Sequence, residues 1–192
     1  MERLYYNSGK LKSEVFLIDG KYEGDYKCYY ESGILYSSCN YFNDRVNGNY
    51  KEYNLDGSLR MSYNYINNLL NGEYQEYHEN GKLKLICNYI DNAKNGSFKQ
   101  YYDNGELNII CNYTNNRTNG EYKTYYPNGN LHIFQNHINS ELNGECIKYY
   151  ETGSIKEISN YSNDEKNGKR TKYYVNGEIK EVSNYINGKK IN

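Results

Sequence analysis

Asn95-Gly96-Ser97-Phe98-Lys99-Gln100-Tyr101-Tyr102-Asp103-Asn104-Gly105-Glu106-Leu107-Asn108-Ile109-Ile110-Cys111-Asn112-Tyr113 is the stretch that decides the fold. Two short runs rich in Tyr, Phe and Ile flank Asp103-Asn104-Gly105, and Asn-Gly returns at Asn119-Gly120. Asn-Gly between such runs signals a hairpin, because both residues tolerate positive φ. The pattern predicts strands over 97–102 and 106–114. With Gly105 in the left-handed position of a three-residue loop, Tyr102 faces Glu106 and Tyr101 faces Leu107. Simple alternation then sets Tyr101 and Leu107 on one face with Ile109, Cys111 and Tyr113. Phe98, Tyr102, Ile110 and Asn112 take the other face, unless a bulge reverses part of the strand.

The hairpin recurs every 24 residues. Of 17 glycines, all but Gly20 and Gly188 fall in two phases, the series from Gly9 to Gly177 and from Gly24 to Gly168. Tyr stands at 5, 29, 53, 77, 101, 125, 149 and 173, and Leu or Ile at 11, 35, 59, 83, 107, 131, 155 and 179. Asn stands at 40, 64, 88, 112, 136, 160 and 184. A codon bias raises a frequency but does not lock residues to a phase, so the period is structural. The 192 residues read as a single repeat domain, 1–192, of eight units: 1–24, 25–48, 49–72, 73–96, 97–120, 121–144, 145–168 and 169–192.

Composition agrees with an array of hairpins and excludes most alternatives. Leu, Ile, Val and Phe supply about 19% of the chain, near the level of disordered proteins. Disorder, however, goes with high net charge and few aromatics, whereas this chain has a net charge of −1 and 27 Tyr. One Ala and 32 Asn make poor helix material. The expected fold is all-β, with about sixteen short strands in a meander, forming one elongated, twisted, antiparallel single-layer sheet. Tyr suits such a layer, because it buries a large ring while its hydroxyl stays near water. The longest early apolar run, Val15 to Ile18, is too short for a signal-peptide core or a membrane span.

Reactive residues do not assemble into a catalytic or metal pattern. Cys39, Cys87 and Cys111 share one phase, but equivalent positions in adjacent units lie about 9–10 Å apart, beyond the reach of a disulfide. The five Cys are expected to be free, which points to a reducing, cytoplasmic compartment. There is no Cys-x-x-Cys, and His78, His132 and His137 occupy three phases, so no metal site is expected. No Ser or Cys has a base reliably beside it, and no glycine pair reads as a phosphate loop. The expectation is therefore a protein without catalysis, cofactor or small-molecule substrate. The balance of 23 basic and 24 acidic residues disfavours nucleic acid as a partner and a strong electrostatic membrane anchor.

The unit Asn119-Gly120-Glu121-Tyr122, with Tyr125-Tyr126-Pro127-Asn128-Gly129-Asn130-Leu131, resembles the MORN repeat variant, the second MORN-type repeat family, found widely in bacteria. The resemblance runs over essentially the whole chain. It implies an open sheet of stacked hairpins and a scaffold or membrane-contacting role; bacterial relatives are often labelled antitoxin-like. The first unit departs from the pattern with Phe16-Leu17 and Asp19-Gly20, which reads as an apolar cap, the alternative being a partner-docking surface. Cys146 and Arg170 stand where an aromatic is usual. Arg3, Lys10, Lys12, Lys180, Lys189 and Lys190 would discourage edge-to-edge association.

The expected function is protein–protein interaction on a repeated aromatic surface, with an immunity or antitoxin role as the version the resemblance implies. Tyr30, Tyr102, Tyr126, Tyr150 and Tyr174, in a phase apart from the Tyr101 phase, are the candidate protein-binding residues. A lipid-contacting module and a self-assembling spacer are the alternatives.

Overall fold

The computed structural model describes residues 1–191. These divide into two compact units, Met1–Ala93 and the residues from Lys94 onward. The first holds β1 (Glu2–Tyr5), β2 (Leu11–Ile18), β3 (Lys21–Tyr29), β4 (Leu35–Phe42), β5 (Arg45–Tyr53), β6 (Leu59–Ile66), β7 (Leu69–Tyr77) and β8 (Leu83–Ile90). The second is formed by β9 (Ala93–Tyr101), β10 (Leu107–Thr114), β11 (Arg117–Thr118), β12 (Gly120–Tyr125), β13 (Leu131–Ile138), β14 (Glu141–Leu142), β15 (Gly144–Tyr149), β16 (Ile155–Ser162), β17 (Glu165–Tyr173), β18 (Ile179–Ile186) and β19 (Lys189–Ile191). Within each unit, successive strands pair antiparallel in an open, single-layer sheet of hairpins. Among the described residues there is no helix, hence none long and apolar enough to cross a membrane.

The three-residue loops have the expected form. The Tyr102 amide donates to the Glu106 carbonyl at 2.9 Å, and the Gly105 amide donates to the Tyr102 carbonyl at 3.0 Å. Gly105 has φ +95°, the left-handed region that glycine enters at no steric cost, and Tyr101 lies opposite Leu107.

The face assignment changes one residue further on. The register shifts between Leu107 and Ile109, so that Ile109 pairs with Gln100 and Cys111 with Phe98. A bulge leaves one residue unpaired and moves everything beyond it to the opposite side. Tyr101 and Leu107 therefore share a face with Lys99 and Ile110, which we call face B. Phe98, Gln100, Tyr102, Ile109, Cys111 and Tyr113 occupy face A. The alternation that set Tyr101 with Cys111 and Tyr113 is corrected by this bulge, which recurs beside Tyr29, Tyr53, Tyr125 and Tyr149.

In each unit the core is a row of buried side chains on face A. Val15, Cys39 and Cys87 are buried in the first unit, and Phe98, Cys111, Leu142 and Cys146 in the second. With no second layer, only the middle of each strand is covered, by rings from its neighbours.

At the opposite edge only the last hairpin turns back on Asn-Gly, at Asn187-Gly188, and the first uses Asp19-Gly20; the turns between them contain no glycine. Asn67-Asn68, Asp91-Asn92, Asn115-Asn116 and Asn163-Asp164 each place two consecutive residues at positive φ, the form of a two-residue primed turn. Asn119-Gly120 lies past that turn, in a second bulge between β11 and β12 where the Asn119 amide donates to the Asn112 carbonyl at 2.9 Å. Strands read as starting at Ser97 accordingly start earlier, at Ala93. These bulges split two long strands, and with β19 they raise the number of strands above sixteen.

Successive turns are stitched together. The Asn68 amide donates to the Val46 carbonyl at 3.0 Å while its Oδ1 accepts from the Val46 amide at 2.6 Å. Asn92 does the same to Leu70, Asn116 to Lys94 and Asp164 to Leu142. The asparagine of the Asn-Gly pair closes the pattern: Oδ1 of Asn47, Asn119 and Asn143 accepts from the amides of Asn67, Asn139 and Asn163. Asn is abundant because it tolerates positive φ and carries an acceptor that reaches the next repeat.

Candidate interaction face

Face A of the first unit is an aromatic surface. Tyr26, Tyr50 and Tyr74 occupy one phase, and Tyr41, Tyr65 and Tyr89 another. The bulges bring both to the same side. Tyr50 stacks on Tyr63 at 4.9 Å between centroids, and Tyr63 on Tyr74 at 5.5 Å. Tyr26 meets Tyr41 edge-on at 5.7 Å, and Tyr74 meets Tyr89 at 5.8 Å. Such pairs add about 0.5–1.5 kcal/mol each beyond burial, and they fix the ring positions.

Burial keeps the covered phenols and thiols of face A in their neutral form, and two carboxylates of this surface in the first unit are paired, Glu52 with Arg60 and Glu76 with Lys84. Burial pushes the Tyr26 and Tyr74 phenols up to about 12. Burial also raises the Tyr63 phenol, together with its hydrogen bond to Glu52 Oε1. Glu52, only 9% exposed, is ion-paired with Arg60. The Cys39 and Cys111 thiols are pushed up to about 11 by burial, so they are not thiolates at neutral pH. None of the five cysteines is in a disulfide.

The sequence-derived candidates line the loop edge of face A. Hydroxyls of Tyr6 and Tyr30 donate to the backbone carbonyls of Tyr29 and Tyr53 at 2.7 and 2.9 Å. In the second unit, Tyr102, Tyr126 and Tyr150 donate to Tyr125, Tyr149 and Tyr173 at 2.8, 2.9 and 2.9 Å. Each ring thus bridges its own hairpin to the next one. A neighbouring side chain covers part of the ring: Tyr36 on Tyr30, His132 on Tyr126, and the Lys156 ammonium over Tyr150 at 5.4 Å. Tyr174 is 49% exposed, with Lys180 over its ring at 5.3 Å. The clamping role was not legible in the sequence, and neither was the Tyr50–Tyr63–Tyr74 stack; the one available signal was the glycine before each central aromatic, which marks the bulge.

The second unit ends on a different face A. Arg170 lies between Ser159 and Ser183 and pairs with Glu157 at 2.7 Å, both side chains largely buried. Burial would raise the Glu157 carboxyl, but the Arg170 hydrogen bond and charge, with Lys148 and Lys166, hold it below its usual range. Among the described residues no group of three His, Cys, Asp or Glu could hold a metal ion.

Among known protein families, the model described as the MORN repeat variant matches residues 2–19, 22–43, 70–91, 94–115, 118–133, 142–163 and 166–187. No curated protein matches the chain. The unmatched stretch between 43 and 70 contains the loop in which Asn54 and Asp56 replace the usual Tyr and Asn. The matched segments cover well over half of the sequence, and their period is that of the hairpins: the chain belongs to the MORN repeat variant family.

Proposed function

We propose that this repeat scaffold is non-catalytic and binds a partner protein on face A. The observation that carries the reading is the stacked, uncovered tyrosine surface of the first unit, centred on Tyr50, Tyr63 and Tyr74. Rigid aromatic side chains lose little entropy on binding and dominate interface energetics. Tyr30 in the first unit, and Tyr102, Tyr126, Tyr150 and Tyr174 in the second, add ring surface at the loop edge of their own unit, the hydroxyls of all but Tyr174 engaged with backbone. An immunity or antitoxin role is the family-based version of the same reading. The test is affinity capture from native-host extract at several salt concentrations, with wild type beside Tyr50→Ser/Tyr74→Ser. Retention by wild type and loss in the folded variant supports the reading; no protein retained by wild type refutes it.

A second reading has its own observation. Ile18, Phe42, Ile66 and Ile90 form a row on face B beside the tight turns, 60%, 63%, 49% and 54% exposed. Lys21 and Arg45 lie opposite the first two. An apolar row with basic neighbours suits an anionic lipid surface. Co-sedimentation with phosphatidylserine vesicles that falls with salt supports this; no co-sedimentation at low salt removes it.

A further inference from the structure

Charge is sorted between the faces in the seventh and eighth repeats. Lys148, Lys156, Lys166, Arg170, Lys172 and Lys180 lie on face A, against only Glu157 and Glu181. Glu145 and Glu165 point to face B, and Glu151, Asp164 and Glu178 sit in loops and turns. The two face A carboxylates are taken: Glu157 by Arg170, and Glu181 by Lys172 and Lys190 at 3.2 Å each. Lys148, Lys156, Lys166 and Lys180 have no ion pair among the described residues. Three of them sit over rings: Lys156 over Tyr150, Lys166 over Tyr185 and Lys180 over Tyr174. After burial, Lys156 and Lys148 are the causes that hold His132 below the usual histidine range, a sign of the positive field along this face.

We propose that face A of the seventh and eighth repeats docks an acidic segment of a partner protein, its carboxylates meeting Lys148, Lys156, Lys166 and Lys180 and its chain lying on Tyr150, Tyr161, Tyr174 and Tyr185. Spacing favours an extended peptide. Lys156 and Lys180 occupy equivalent positions two strands apart, roughly 9.6 Å, which three residues of extended chain, roughly 10 Å, would match. A polyphosphate chain fits less well. Lys148, Glu157, Lys172 and Glu181 alternate directly across β15 to β18, so a continuous line of phosphates meets repulsion at every second strand, whereas discrete carboxylates need not. The proposal rests on the reading of face A as a protein-binding surface and names the class of partner.

The test uses the full chain and a fluorescein-labelled peptide, (Glu-Ser-Gly)5, followed by anisotropy. The peptide is expected to bind at about 50 mM salt and to weaken steeply toward about 500 mM. Lys156→Glu/Lys180→Glu, changing two exposed side chains, is expected to bind at least tenfold more weakly with an unaltered circular dichroism spectrum. An oligothymidylate of equal charge and phosphatidylserine vesicles are expected to bind more weakly than the peptide. No peptide binding by wild type, equal binding by the double variant, or tighter binding of oligonucleotide or vesicles overturns the proposal. A wild type that ignores the peptide yet retains a protein from host extract overturns the acidic class alone; retention of nothing overturns the broader reading.

Discussion

Replacing Tyr102 by Phe removes one hydroxyl and leaves the ring. That hydroxyl donates to the Tyr125 carbonyl at 2.8 Å, from one hairpin to the next. A hydrogen bond of this kind contributes about 1 kcal/mol net, toward the lower end where water can replace it. Tyr126 and Tyr150 repeat the contact at equivalent positions roughly 9.6 Å apart, far enough for the losses to add. The triple variant Tyr102→Phe/Tyr126→Phe/Tyr150→Phe is expected to lose about 3 kcal/mol. With a urea slope near 2.5 kcal/mol per molar, the unfolding midpoint should fall by about 1 M. Far-UV circular dichroism in urea reads it directly. Tyr174→Phe is the control, because its ring is 49% exposed and, unlike Tyr150, its hydroxyl makes no hydrogen bond among the described residues, and it should leave the midpoint in place. The reasoning fails if the triple variant unfolds with wild type, or if Tyr174→Phe costs as much as Tyr102→Phe.

Three further outcomes are expected. Asn92 has φ +68° and accepts from the Leu70 amide at 2.8 Å; Asn92→Gly loses the acceptor alone, about 1 kcal/mol, whereas Asn92→Ala adds left-handed strain of about another 1 kcal/mol, and equal midpoints in urea for the two would contradict this. Glu157→Gln strands the largely buried Arg170 and should cost about 3 kcal/mol near neutral pH. Because the folded Glu157 value lies below the unfolded one, the contribution of its ionised form is present above the ordinary carboxyl range and lost as pH falls through the folded value; the wild-type melting temperature should therefore fall on acidification more than that of Glu157→Gln, and parallel pH profiles would contradict the assignment. In the folded protein, iodoacetamide followed by mass spectrometry should label the half-exposed Cys28 first, with Cys39, Cys87, Cys111 and Cys146 protected until urea exposes them.

How much the sequence decided is clearest around Tyr101. Its period, the loop at Gly105 and the pairing of Tyr101 with Leu107 follow from local rules: the backbone conformation that Asn and Gly allow, and the two-residue alternation of a strand. Membership in a repeat family followed from the same phases. The loop and the pairing depend on nothing more than a few residues away, and the period is the same local pattern written eight times.

Tertiary structure decided which side chains form a surface. One unpaired residue after Leu107 moves Cys111 and Tyr113 to the face of Phe98 and away from Tyr101, and alternation carries no mark of where that residue falls. The tight turns at Asn67-Asn68 and Asn115-Asn116 lack glycine, and their left-handed geometry is supported by hydrogen bonds from the preceding repeat, 22 residues back. The Tyr102 hydroxyl looks free for a partner when one repeat is read alone; stacking the next repeat supplies its acceptor. In a single-layer sheet, burial comes from neighbouring hairpins rather than from a common interior. Local physics therefore specifies the hairpin, and contacts between hairpins determine its buried face and the tyrosines left open to solvent.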